Sequence, residues 1–190
     1  TYLDDINEAQ QQICTQLQRE FQEVQEQWMI SICEDGLVVN FENEAIFPPG
    51  DDQPSLEFQN ILNEFYPRFM RIVWENRFDI SELRIEGHTS SEGRFDMGQF
   101  DAYLYNTQLS QNRSRNVMSY VLKLDPILSN QDYLQWSYNN LTAHGLSSSD
   151  LIYDEDGLED QISSRRVEFR LGTTAQDRLS ELVRALDETQ

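Results

Sequence analysis

Between Ile80 and Leu171 the spacing of the apolar residues changes from two to roughly four and back again, and this change of period commits the chain to an α/β fold. Residues 80–87, ISELRIEG, alternate apolar and polar side chains as a half-buried strand does. Residues 102–124 carry Leu104, Leu109, Val117, Tyr120, Val121 and Leu124 at helical intervals, and residues 166–171, RVEFRL, alternate once more. Between them, 132–145 reads as a short helix followed by a strand at Leu141–His144, and 175–186 as a last amphipathic helix. Upstream, the β-rich runs WMISIC and LVVNF flank Glu34-Asp35-Gly36; Asp-Gly readily takes positive φ, so residues 28–41 are expected to form a hairpin. Pro48, Pro49, Gly50 and Pro54 then force a loop, after which Ser55 caps a helix with Leu56, Phe58, Ile61, Leu62, Phe65 and Phe69 on one side. The expected architecture is one mixed sheet with helices mainly on one face, preceded by a polar amphipathic helix and followed by a C-terminal helix.

The first helix, expected over residues 3–27, has a narrow stripe of Ile6, Ile13, Leu17, Phe21, Val24 and Trp28. Such a stripe either packs on its own domain or forms a seam with a second copy; the seam reading assigns Ile13, Leu17, Phe21 and Val24 to a homodimer. Cys14 and Cys33 are the only cysteines, with no Cys/His spacing that suits a metal. A helix climbs roughly 20 Å from Cys14 to its end, and a returning strand descends roughly 16 Å to Cys33. The two sulfurs therefore come level, as an intrachain disulfide of an oxidising compartment or as two buried thiols, and the expectation is the disulfide. On this basis the chain divides into a linker or dimerisation helix at 1–27, a globular domain at 28–172 and a C-terminal helix at 173–190.

With 34 acidic against 14 basic residues the net charge is −20, which repels nucleic acid and anionic lipid surfaces. No window approaches a membrane span of roughly 20 apolar residues. Because the sequence starts Thr1-Tyr2-Leu3 without an initiating Met, it reads as a fragment, and any membrane anchor is expected upstream. Asp154-Glu155-Asp156-Gly157-Leu158-Glu159-Asp160 is rich in carboxylates but lacks the spacing of a calcium loop, so it reads as solvated. His88 and His144 have no nucleophile or carboxylate at a partner spacing and read as strand-end polar residues.

Three blocks occur in order: Gly87-His88-Thr89-Ser90 after a strand, Asn106-Thr107-Gln108-Leu109-Ser110-Gln111-Asn112-Arg113 on a helix, and Ser163-Ser164-Arg165-Arg166-Val167-Glu168 at a strand start. Together they resemble the OmpA/MotB C-terminal family, whose pattern runs I-x-G-H-T-D, N-x-x-L-S-x-x-R-A-x-x-V and N-R-R-V-E. The segment VVNFENEAIFPPG, ending at Gly50, is similar to the family's opening strand and loop. The resemblance implies a βαβαβ domain that grips the diaminopimelate stem peptide of peptidoglycan without catalysis or cofactor. It also implies a periplasmic position beside the inner membrane, a homodimer, and MotA-like membrane subunits reached through an upstream transmembrane helix, as in stators.

Carried over residue by residue, Arg113 and Arg165 are expected to take ligand carboxylates as planar forks. Asn106 and Leu109 share a helical face with Arg113, Tyr105 adds an apolar wall with a polar tip, and Thr89, Ser90 and Arg166 complete the site. Two departures stand out. Ser90 occupies the place of the family's Asp, leaving Glu92, Asp96 or Asp101 as possible acidic substitutes, and the stretch from Gly93 to Asn106 is longer than the family's. Two other function classes stay open: a protein–protein adaptor with a degenerate wall site, and a wall hydrolase, for which no paired-carboxylate, thiol or metal motif is visible.

Overall fold

A computed structural model describes residues 2–42, 46–48, 50–94 and 96–187. In chain order the elements are α1 (Tyr2–Phe21), α2 (Gln25–Trp28), β1 (Ile30–Ile32), β2 (Val38–Phe41), α3 (Leu56–Glu75), β3 (Ile80–Gly87), α4 (Gln99–Leu122), α5 (Asp125–Leu128), α6 (Gln131–Asn140), β4 (Leu141–Gly145), α7 (Gln161–Ser164), β5 (Val167–Thr173) and α8 (Thr174–Asp187). The strands form one sheet in the order β1-β2-β5-β3-β4. Only β3 and β4 run parallel, as a strand–helix–strand crossover through α4 requires; β1–β2, β2–β5 and β5–β3 are antiparallel.

The sheet has two chemically different faces because its strands alternate. Val39 and Phe41 of β2, Leu83 and Ile85 of β3, and Val167, Phe169 and Leu171 of β5 are buried in one core with α3. Phe65 of α3 organises that core, with ring centroids 5.0 Å from Phe41 and 5.2 Å from Phe169. Ser55 caps α3 as expected, its Oγ accepting the Phe58 amide at 3.0 Å. On the opposite face β3 and β5 pair Glu86 with Glu168 and Arg84 with Arg170. Both carboxylates are buried there and bound by guanidinium groups, Glu168 by Arg166 and Arg170 at 2.7 Å each and Glu86 by Arg170 at 3.1 Å.

The N-terminal region differs from the continuous helix expected over 3–27. Helix α1 stops at Phe21, and one turn, α2, precedes Met29, whose left-handed φ of 51° turns the chain into β1. A straight helix would carry Trp28 away from the domain; the break returns it to Phe21, with ring centroids 6.2 Å apart. Ile13, Leu17 and Phe21 are 1, 0 and 0 % exposed, and Phe21 stands 5.0 Å from Phe65. The expected seam of Ile13, Leu17, Phe21 and Val24 is thereby corrected: Ile13, Leu17 and Phe21 are buried in the chain's own core with α3 and are not available to a second copy, and Val24 packs partly buried at the edge of the same core. Helix α1 also shares the core across the boundary drawn at residues 27 and 28. Cys14 and Cys33 form the expected disulfide, their Cα atoms 6.1 Å apart, which ties α1 to the end of β1. Ile6 lies where side chains are outside the described residues. Among the described residues no helix is long and apolar enough to cross a membrane.

Candidate functional site

Two glycines set how closely helix and sheet approach. A Cβ at Gly87 would stand 2.6 Å from the Ser110 carbonyl oxygen, and one at Gly145 would overlap the Gln111 backbone, so α4 lies directly on the ends of β3 and β4. Beyond Gly87, the His88 amide donates to Arg166 O and the Thr89 amide to Ser147 O, both close to 3 Å, which fixes Thr89 and Ser90 beside α4. Asn106 then braces the next loop: its Nδ2 donates to Ser90 O at 3.0 Å and to Glu92 O at 2.9 Å.

On the other side of α4 the loop after β2 is drawn in by side-chain amides. Asn112 Nδ2 donates to Asp52 Oδ2 and Asn116 Nδ2 to Asp52 O, each at 2.9 Å. Between this loop and the Ser90–Gly93 loop opens a cleft of about 560 Å³. All eight expected site residues line it: Thr89, Ser90, Tyr105, Asn106, Leu109, Arg113, Arg165 and Arg166. They do not play equal parts. Asn106 spends its donors on the backbone, and Arg166 is consumed by Glu168 and by Asp150, whose Oδ2 it meets at 2.7 Å. Arg165 lies at the rim, with its NH1 4.0 Å from Glu92 Oε2.

Arg113 differs from these. Its side chain is buried, 6 % exposed; Nε donates to Asp51 O at 2.9 Å, and the guanidinium carbon sits 4.6 Å from the Phe47 ring centroid. Among the described residues no carboxylate lies within ion-pair distance of it. Burial pushes its pKa down to about 10, with Tyr105, Asp51 and Asp52 raising it and Arg165 lowering it. It stays protonated at neutral pH, so the cleft presents a desolvated, oriented cation. Around it, Thr89 Oγ1 and the Tyr105 hydroxyl are buried without hydrogen-bond partners among the described residues. Unsatisfied buried polar atoms are costly, and several of them facing one cavity mark a place for a polar ligand.

His88 forms part of the wall, 1 % exposed, with neither ring nitrogen hydrogen-bonded among the described residues. Burial, helped by the nearby Arg166 charge, lowers its pKa to about 4, so the ring is neutral. Its Nε2 lies 3.9 Å from Glu86 Oε2 and 3.8 Å from Glu168 Oε2, a grouping of potential metal ligands. Both carboxylates are already ion-paired with guanidinium groups, which a cation would have to displace; the grouping is a salt-bridge network. In the acidic loop, Asp154 Oδ1 accepts the amides of Asp156 and Leu158, closing a local turn.

Of the three acidic residues that could stand in for the family's Asp, Glu92 lines the cleft and Asp96 and Asp101 do not. Sequence reasoning gave no role to Phe47, although it lies in the matched VVNFENEAIFPPG segment. Arg94, which also lines the cleft, had no signal because its loop departs from the family pattern.

The mixed sheet with α4 laid over its strand ends has counterparts among solved structures. The chain matches a MotB-like protein of Desulfovibrio vulgaris with a TM-score of 0.61 at 21 % identity, over 88 % of this chain and 93 % of that one. It matches the cell wall anchor of the T6SS from Pseudomonas aeruginosa with a TM-score of 0.54 at 18 % identity, over 83 % and 96 %. The fold is that of the OmpA/MotB class of domains. No protein-family model matches the sequence. The sequence is, however, 34 % identical over 176 residues to the Zorya protein ZorB of Escherichia coli, covering 92 % of this chain and 74 % of that protein. The chain belongs to the ZorB family.

Proposed function

We propose that the cleft binds the peptide stem of peptidoglycan and that the domain anchors a membrane stator complex to the cell wall without catalysing a reaction. The observation that carries this reading is Arg113, a buried guanidinium with no carboxylate partner among the described residues, held by Asp51 O and Phe47 and opening onto a cleft with unsatisfied polar groups. An unpaired buried charge is expensive to maintain, and an anionic ligand removes that cost. The carboxylates of a diaminopimelate stem suit a planar fork. The solved T6SS domain of the same fold is a cell wall anchor, and the ZorB relationship supports a stator-like setting. The Cys14–Cys33 disulfide supports an oxidising compartment, which this reading takes to be the periplasm, beside the inner membrane. Anti-phage defence, MotA/ZorA-like membrane subunits joined through an upstream transmembrane helix, and pairing with a second copy belong to the same proposal and rest on the family relationship.

Co-sedimentation with purified sacculi tests it. An anchor pellets with the wall and releases nothing; a hydrolase releases soluble muropeptides; an adaptor stays in the supernatant. Charged hydrogen bonds contribute about 1.5–3 kcal/mol each, so Arg113→Ala is expected to weaken wall binding roughly ten- to more than a hundredfold. Arg113→Lys recovers part of it, because an ammonium cannot form the bidentate contact. Unchanged binding by Arg113→Ala places the site elsewhere, and a collapsed melting temperature in both variants makes Arg113 a structural residue.

A further inference from the structure

Arg94 stands on the loop between Ser90 and α4, where this chain is longer than the family pattern. The loop is tied down at Glu92 O by Asn106, and Gly93 lies so close to α4 that an added Cβ would meet Ala102 Cβ at 2.6 Å. The exposed Arg94 guanidinium lies 5.1 Å from the Tyr105 ring centroid, a cation–π position. Among the described residues no carboxylate is within ion-pair distance of it.

The charge distribution is the second observation. In a chain of net charge −20, four of 14 basic residues line this one cleft and face a single lining carboxylate, Glu92. Arg166 is neutralised by Glu168 and Asp150, and Arg165 faces Glu92. Arg113 and Arg94 are left, one buried in the cleft and one exposed at its mouth, both beside Tyr105, whose hydroxyl lacks a partner among the described residues. Ser90, in place of an Asp, adds no negative charge to offset them. One carboxylate can satisfy Arg113, and the second cation then calls for a second anionic group.

We propose that Arg94 is a second anion-anchoring residue, so that the cleft selects ligands with two carboxylates, one for Arg113 and one for Arg94 across Tyr105. This rests on the wall-peptide reading above and narrows it. Free diaminopimelate has a carboxylate at each end, and a stem peptide that ends on diaminopimelate keeps both, so each has the required chemistry.

Binding of meso-diaminopimelate and of its monoamide, in which one carboxylate is replaced by a neutral amide, distinguishes the two claims when followed by NMR titration. The wild type is expected to bind the diacid roughly fivefold more tightly than the monoamide, the scale of an exposed charge pair. Arg94→Ala removes that preference by weakening the diacid alone, Arg94→Lys keeps most of it, and raising the salt concentration narrows it because the contact is solvent-exposed. Arg113→Ala weakens both probes. Equal affinity of the wild type for the two probes, or an equal loss of both in Arg94→Ala, overturns the role of Arg94 and leaves the wall-peptide reading standing. If the wild type binds neither probe and Arg113→Ala is no different, the wall-peptide reading falls and this inference with it.

Discussion

Asn106, Leu109 and Arg113 share one face of α4, and their spacing alone places them there. What spacing does not show is the use to which each side chain is put. Asn106 faces two carbonyl oxygens and donates to both, which makes it the brace of the Ser90–Glu92 loop. Arg113, two turns further on, meets a carbonyl with Nε and turns its remaining donors toward the cleft. Replacing the Asn106 amide by a carboxylate would set acceptor against acceptor. Asn106→Asp is therefore expected to destabilise the fold by about 1–3 kcal/mol at neutral pH, more than Asn106→Ala, and to weaken wall binding through the displaced loop. Urea denaturation beside sacculus sedimentation checks this; wild-type stability in Asn106→Asp would show that the brace is unimportant. Arg113 and Thr89, which match the family motif, and Tyr105, which precedes its Asn, all line the cleft. Phe47 received no role because its contact, with Arg113, is distant in sequence, and Arg94 received none because its loop departs from the family pattern.

Helix α1 shows the same limit for an element. Its narrow stripe suits either a partner helix or the chain's own core, since both are apolar and both ask for the same spacing. The choice was made by α3, whose Phe65 receives Phe21, and by the disulfide, which fixes α1 beside β1. Leu17, fully buried, is thus a core residue. Leu17→Ala is expected to cost about 2–5 kcal/mol of stability, the usual range for a buried leucine, with no change of mass in solution. Reducing the Cys14–Cys33 bond, which spans 19 residues of sequence, is expected to cost about 3 kcal/mol. Calorimetry with and without reductant, together with light scattering, separates the two effects. A change of mass in Leu17→Ala would restore the seam. The break after Phe21 was equally invisible in the sequence, because residues 22–27 are mostly good helix formers, and 22–24 leave the helix only to return Trp28 to the core.

For the whole molecule, stability in mild acid should follow His88. Burial and the Arg166 charge lower its folded pKa to about 4, below the ordinary 6.5, so the unfolded chain takes up a proton first as the pH falls. The contribution is complete above about pH 6.5 and is lost between that value and pH 4, up to about 3 kcal/mol. Glu168 acts in a lower window: burial raises its pKa, but the hydrogen bond and charge of Arg166, the nearby His88 and the Arg170 hydrogen bond outweigh that, so its share is lost below about pH 4.5. Thermal melts from pH 7 to pH 4 should fall steadily and flatten in His88→Asn; an unchanged slope in that variant would mean that His88 is not the group responsible. The period of the apolar residues, the Ser55 cap and the turn residues determined the order of strands and helices, because these are local preferences that a few neighbouring residues express. The tertiary structure alone decided which apolar face meets which, that α1 joins the core, and which arginines of the cleft are neutralised and which are left for a ligand, because burial and ion pairing depend on groups that only folding brings together.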